Sequence, residues 1–278
     1  MYFGSHVSIR NGYYAAAKTA YDLGGTAFQF FPKNPRSITV KDYNIDDAHQ
    51  CATFCSKHNI RSIIHTPYPT KLIPEDINLE KKIVQSLVND LEIAEACGAI
   101  GVVVHFGTTK KVPILEGYKK MIDMLNQVLS QFSGNAQLLI ENNAGAGSDM
   151  GITFEELSQV RQLTDYPEQI GFCFDTCHAY ASGLWNGNDW NEIEEKGMEL
   201  DYFPHLKAIH FNNSKYPFSA RKDRHANLLS GHLKAEQLIE LLTSSVLTNI
   251  PFIVETPKDE GFTHQTEIQW MREKAVLL

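Results

Sequence analysis

The hydrophobic pattern of the chain switches repeatedly between two periods. Eight short runs rich in β-branched and aromatic residues, at 2–8, 27–31, 61–65, 101–105, 137–141, 170–175, 206–211 and 251–255, read as strands. Between them, apolar residues recur at helical spacing over 14–23, 46–58, 78–96, 116–132, 153–163, 235–242 and near 265–275. Gly24-Gly25 stops the first of these, and Thr153 with Glu156 three residues on reads as a capping box opening the fifth. No Pro/Ser-rich linker or long charge run divides the chain, so residues 1–278 are expected to form one domain. Eight strand-plus-helix repeats in this length predict an α/β fold of the (β/α)8 TIM-barrel type. The doubly wound alternative would show a Gly-rich first turn, and neither a G-x-G-x-x-G nor a Walker pattern occurs, so no nucleotide cofactor is expected.

Composition narrows the class. The 278 residues carry 33 acidic and 25 basic side chains, a net charge of −8, which argues against binding nucleic acid or anionic lipid by bulk positive charge. No apolar run approaches the ~18 residues a membrane helix needs. The N-terminal MYFGSH lacks the basic and apolar regions of a signal peptide, so a cytoplasmic location is expected, nucleoid-associated in a bacterium. The five cysteines are spaced unlike a disulfide framework or a zinc knuckle. They read as buried small hydrophobes, with Cys51 and Cys55 on one helix face. Nothing in the sequence suggests an assembly interface, and a monomer is expected.

Six of the eight strand runs finish at, or within a residue of, a side chain that can bind a metal: His65, His105, Glu141, Asp175, His210 and Glu255. In a barrel all six converge at the C-terminal mouth. One such residue alone reads as a cap or a loop hydrogen bond, but six buried polar groups together are costly unless paired or metal-bound. Two further groups join them. Asp175-Thr176-Cys177-His178 sets an imidazole in the turn leaving a strand, and Asp223 and His225 stand two apart, where an extended segment projects both to one side. Five His and four carboxylates suit zinc or manganese. Nine ligands exceed what one ion uses, so two or three neighbouring ions are implied, a device of phosphoester hydrolysis.

In this order the segments GSHVS, FPKNPR (31–36), HTPY (65–68), VVVHFG, LIENNAGAGSDMG (139–151), GFCFDTCHAYASG (171–183), HFNNSK, RKDRH and VETP (254–257) resemble the endonuclease IV family of apurinic/apyrimidinic endonucleases over essentially the whole chain. The resemblance implies three Zn2+ ions, with manganese as the alternative at the third. His65, His105 and Glu141 would hold the first, Glu141, Asp175, His210 and Glu255 the second, and His178, Asp223 and His225 the third. It further implies hydrolysis of the phosphodiester 5′ to abasic sites in double-stranded DNA, leaving 3′-hydroxyl and 5′-deoxyribose phosphate ends, and trimming of blocked 3′ ends. Glu141 and Glu255 would be the catalytic carboxylates. Arg36 and Tyr68, in loops matching the family's DNA-bending loops, would wedge the duplex, and Lys215, Arg221 and Arg224, with Lys33 and Lys222, would meet phosphates. The chain departs from the family's usual wording at Phe106, at Pro69 and over 228–231, none of which removes a ligand. The competing expectation is a metal-dependent sugar isomerase or epimerase on the same barrel, for which His178, Asp223 and His225 would be surplus.

Overall fold

Period-2 alternation explains how the strands close on one another. In the computed structural model, which describes residues 1–258 and 261–275, eight parallel strands form a closed barrel. They are β1 (Tyr2–His6), β2 (Ala27–Phe30), β3 (Arg61–His65), β4 (Gly101–His105), β5 (Gln137–Glu141), β6 (Ile170–Asp175), β7 (Leu206–His210) and, after the two-residue strands β8 (Asn213–Ser214) and β9 (His225–Ala226), β10 (Pro251–Val254). β10 closes the ring between β1 and β7. The helices are α1 (Tyr13–Asp22), α2 (Ile45–His58), α3 (Ile77–Ala96), α4 (Ile114–Leu129), α5 (Phe154–Leu163), α6 (Thr176–Ser182), α7 (Trp190–Glu199), α8 (Ala235–Leu242) and α9 (His264–Ala275).

Alternate strand residues face opposite ways. Phe28, Phe30, Ile64, Val102, Val104, Leu138, Ile140, Phe172, Phe174, Ile209, Phe252 and Val254 point outward and merge with the buried helix faces into one large core. The other parity points into the barrel, where Ala27, Ile63, Val103, Leu139, Cys173, Ala208 and Ile253 form a separate apolar layer. Two residues further along each strand the same inward parity continues, and there the chemistry changes.

All five cysteines are buried and unpaired, Cys51 and Cys55 both under α2. The capping box at Thr153 is present, and Glu156 does more than close it. Its carboxylate also accepts from the backbone N–H of Gly151 and Ile152, which fixes the loop leaving β5. Gly151 has φ +74, and a Cβ there would lie 2.4 Å from Cγ of Phe106, so the side chain at the departure Phe106 fills the space that a glycine leaves. Trp185 and Trp190 are buried edge-to-face and pin the loop between α6 and α7. Among the described residues no helix is long and apolar enough to cross a membrane.

One expectation fails here. Lys33 is not free to meet phosphates: its Nζ is buried, 2.9 Å from Asp90 of α3, and also donates to the Ser86 carbonyl at 3.1 Å. Burial is the larger influence on Asp90 and pushes its carboxyl up to about 7 in spite of Lys33. Because the folded chain holds this proton to a higher pH than the unfolded chain does, the contribution of Asp90 to stability falls as pH rises from about 4 to about 7. The difference in unfolding free energy between wild type and Asp90→Asn is therefore expected to shrink by on the order of 4 kcal/mol across that window and then level off. Urea melts at half-unit pH steps would show it; a flat difference would contradict the assignment.

Candidate metal centre at the barrel mouth

Each strand's inward parity ends in a polar residue. Two positions past the apolar layer stand Gln29, His65, His105, Glu141, Asp175, His210 and Glu255, and β1 contributes His6. The register sets them side by side, with His6 opposite Gln29, His105 opposite Glu141 and Asp175 opposite His210. The ring thus holds one polar group from every barrel strand, six of which the sequence singled out. His6 and Gln29 were missed. Gln29 interrupts the aromatic run Phe28 to Phe31, which was the available signal.

Two devices outside the ring bring in the remaining candidates. Asp175 ends β6 and caps α6 in the same step, its Oδ1 accepting from the His178 N–H at 2.6 Å. His178 therefore enters the site from the first turn of a helix, where a turn was expected. The antiparallel pair β8–β9, with Ser214 opposite His225, folds residues 215–224 back over the mouth and lays Asp223 and His225 beside His178. His178 Nε2 is 3.3 Å from Asp223 Oδ1, and His225 Nε2 lies 3.6 Å from the same oxygen and 3.5 Å from Asp175 Oδ2.

The tautomers converge on the centre. His65 Nδ1 donates to the Thr66 carbonyl at 2.8 Å and His178 Nδ1 to the Asn142 carbonyl at 2.9 Å, leaving each Nε2 as a lone pair aimed inward. His210 is held the other way round. Its Nε2 donates to Gln29 Oε1 at 2.7 Å, and its Nδ1 faces Glu141 Oε1 at 2.9 Å and Glu255 Oε2 at 3.3 Å. Lone pairs pointed at carboxylates repel unless a positive charge lies between them. Burial alone would drive the Glu141 carboxyl up, but His210 and His105 reverse this and hold it well below the usual range. Burial likewise opposes charge on His178, yet Asp175 and Asp223 raise its pKa well above normal. The site is organised around positive charge that is either proton or metal.

Spacing distinguishes the two. Glu141 Oε2, His178 Nε2 and His225 Nε2 are buried and without hydrogen-bond partners. Glu141 Oε2 lies 3.5 Å from His65 Nε2 and 3.8 Å from His105 Nε2. In a tetrahedral zinc site with bonds of about 2.0–2.1 Å, ligand atoms stand about 3.3 Å apart. The separations fit neighbours on a shared ion better than they fit hydrogen bonds. Among the described residues four groups have ligand atoms mutually within 4.8 Å, and three of them use only imidazoles and carboxylates: His65 with His105 and Glu141; Glu141 with Asp175 and His210; and His178 with Asp223 and His225. Glu255 Oε2 adjoins the second through His210. Cys177 comes within the same reach of Asp175 and His225, but its thiol donates to the Arg224 carbonyl and burial pushes its pKa up, which keeps it protonated. Asn142 and Asn212 brace the ring. Asn212 donates to Asp175 Oδ2 at 2.8 Å and accepts from the Glu255 N–H, and Asn142 pairs with the Asp175 backbone.

A cavity of about 550 Å³ opens above the cluster and is lined by His65, His105, Glu141, Glu255 and, at its lip, Tyr68. The Tyr68 ring is 69% exposed and leans on Phe31, so it is free to meet a ligand and does not pack the rim. Its backbone N–H donates to the Pro35 carbonyl, tying its loop to the one that carries the exposed Arg36. Lys215, Arg221 and Arg224 are exposed on the returning segment. Arg221 pairs with Asp149, and Arg224 donates to the Asp223 carbonyl.

Comparison with known proteins bears on the family. Residues 17–274 match the profile described as the xylose isomerase-like TIM barrel. The chain is 39% identical over 272 residues to a protein of Symbiobacterium thermophilum named probable endonuclease 4, covering 98% of this chain and 99% of that one. It is 33% identical to the protein of the same name from Halothermothrix orenii, over 96% and 98% of the two chains. The crystal structure of endonuclease IV from Thermus thermophilus matches the whole of both chains with a TM-score of 0.88 at 28% identity. A D-tagatose 3-epimerase-like protein matches with a TM-score of 0.69 at 15% identity, over 99% of this chain and 97% of that one, a likeness of fold alone. Such identity along nearly the full length, on the same closed barrel, places the chain: it belongs to the endonuclease IV family of the xylose isomerase-like TIM barrels.

Proposed function

We propose that residues 1–278 form a single-domain, metal-dependent DNA-repair endonuclease. It hydrolyses the phosphodiester 5′ to an abasic site in duplex DNA, leaves 3′-hydroxyl and 5′-deoxyribose phosphate ends, and trims blocked 3′ ends. The observation that carries this reading is the convergence of nine ligand-type side chains at the mouth, three of which, Glu141, His178 and His225, present buried inward atoms without hydrogen-bond partners. The names of the relatives agree with it.

His65 and His105 with Glu141 would hold one zinc, Glu141 with Asp175, His210 and Glu255 a second, and His178 with Asp223 and His225 a third, where manganese is the alternative. When bound, such ions supply Lewis-acid activation of water near neutral pH and charge for the attacking and leaving oxygens. Glu141 sits between the first two groups and keeps them adjacent. Glu255 has one oxygen fixed by Gln29 at 2.6 Å, while the other is turned towards His210, and its side chain is the most solvent-accessible of the carboxylates in the ring. That position suits it to hold the attacking water by a hydrogen bond. An abasic nucleotide has no base pair to break, which lowers the cost of turning it out into a recessed site. Tyr68 and Arg36, on their joined loops at the lip, would fill the gap left in the stack, and Lys215, Arg221 and Arg224 would contact phosphates.

The reading is tested by an end-labelled duplex with one tetrahydrofuran abasic analogue, incubated with the zinc-loaded protein without magnesium. A cut on the 5′ side of the lesion ending in a 3′-hydroxyl is expected. An intact duplex would overturn the proposal and return the sugar isomerase or epimerase reading to the front.

A further inference from the structure

Gln29 is the one ring residue that is neither a metal-ligand type nor apolar. It is fully buried, and its amide is completely engaged. Oε1 accepts from His210 Nε2 at 2.7 Å, while Nε2 donates to Glu255 Oε1 at 2.6 Å and to His6 Nδ1 at 3.1 Å. The facing carboxylate only accepts, which fixes the amide nitrogen on the Glu255 side and the oxygen on the His210 side. An aspartate or glutamate at 29 could take the imidazole proton but would oppose Glu255, and a lysine could serve Glu255 but not His210. A primary amide on this strand does both.

From these contacts we infer that Gln29 is a positioning residue of the second metal group: it locks His210 as the Nε2–H tautomer, so that Nδ1 is the ligand atom, and it sets the rotamer of Glu255. The inference rests on the reading that His210 and Glu255 hold a metal. Its physical basis is general, since the group that takes the second ring proton of a ligating histidine fixes that ligand's orientation and basicity. Unlike the carboxylate often found in this role, Gln29 adds no charge to a centre already rich in acids, and it couples two ligands from strands β7 and β10 through one side chain on β2. His6 completes the arrangement by taking the remaining amide proton.

The test pairs zinc measurements with direct observation of the tautomer. Wild type and the near-isosteric Gln29→Met, both checked for folding by circular dichroism, are titrated with a zinc chelator. The variant is expected to bind one zinc, that of the second group, 10–100-fold less tightly. In zinc-loaded wild type labelled with 15N-histidine, long-range proton–nitrogen correlations should place the His210 ring proton on Nε2, a readout that holds even if the variant does not fold. A zinc-loaded wild type with the proton on Nδ1, or a folded Gln29→Met with unchanged zinc affinity, would overturn the inference alone. A wild type that holds no zinc would overturn the metal reading itself.

Discussion

Glu141→Gln is expected to lower kcat for incision of an abasic duplex by about 10³-fold or more while the barrel stays folded. Several kcal/mol of transition-state stabilisation are at stake when metal groups lose their shared anchor, and each 1.36 kcal/mol is a decade in rate. Glu141 faces four histidines of the site. Its Oε1 lies 2.9 Å from His210 and 3.3 Å from His178, and its Oε2 faces His65 and His105. The amide keeps the volume but loses the charge, and its NH2 would be turned either towards two imidazole lone pairs or towards His210. Steady-state kinetics with metal analysis of the same preparations would check this: kcat should fall by decades, with less metal retained. A variant with full activity would refute the site.

Four strands, β3, β4, β5 and β6, run between the residues that the sequence pattern predicts. They are buried on both faces for most of their length, as parallel barrel strands are, so each holds an apolar stretch, only Ile63-Ile64 in β3, that is closed by one polar side chain. The same contrast made the ligand-type residues at their ends legible. What escaped has physical causes. α6 starts at the residue after the one that ends β6, with no loop between them, and all seven of its residues are buried, Thr176, His178 and Ser182 among them, so it shows no one-sided apolar stripe. α7 is predominantly polar around its circumference, with only Trp190 and Gly197 buried. The β8–β9 pair is two residues long on each side, below any periodicity. Lys33 looked available to phosphates because its partner Asp90 lies on α3, and sequence spacing does not reveal such pairing. Apart from the break that Gln29 makes in its aromatic run, Gln29 and His6 are detectable through strand parity, once the layer of Ala27, Ile63 and Val103 has fixed which residues face inward.

Removing the metal is expected to have the second large effect, on stability and DNA binding as well as on cutting. Glu141, Asp175 and His210 are almost fully buried, with Glu255 beside them, and without cations their carboxylates can be balanced only by protons on the histidines. At free zinc 100-fold above Kd, each ion contributes about 2.7 kcal/mol of stability, so chelation should lower Tm by several degrees and make it depend on zinc concentration. The ions would also change the electrostatics. Three divalent cations at the mouth would bring the formal charge from −8 to about −2 and would place the gain beside Tyr68, Arg36 and the returning segment, where the proposed function puts the duplex. The acidic total thus excludes only binding by bulk positive charge, and the chelated protein should bind abasic duplex more weakly than the loaded one.

Metal content per chain tests the account most directly. Gel-filtered protein, purified without chelator and analysed for zinc and manganese, is expected to carry three ions per chain, and chelation should abolish incision until zinc is restored. One ion per chain, or incision that persists in metal-free protein, would contradict it.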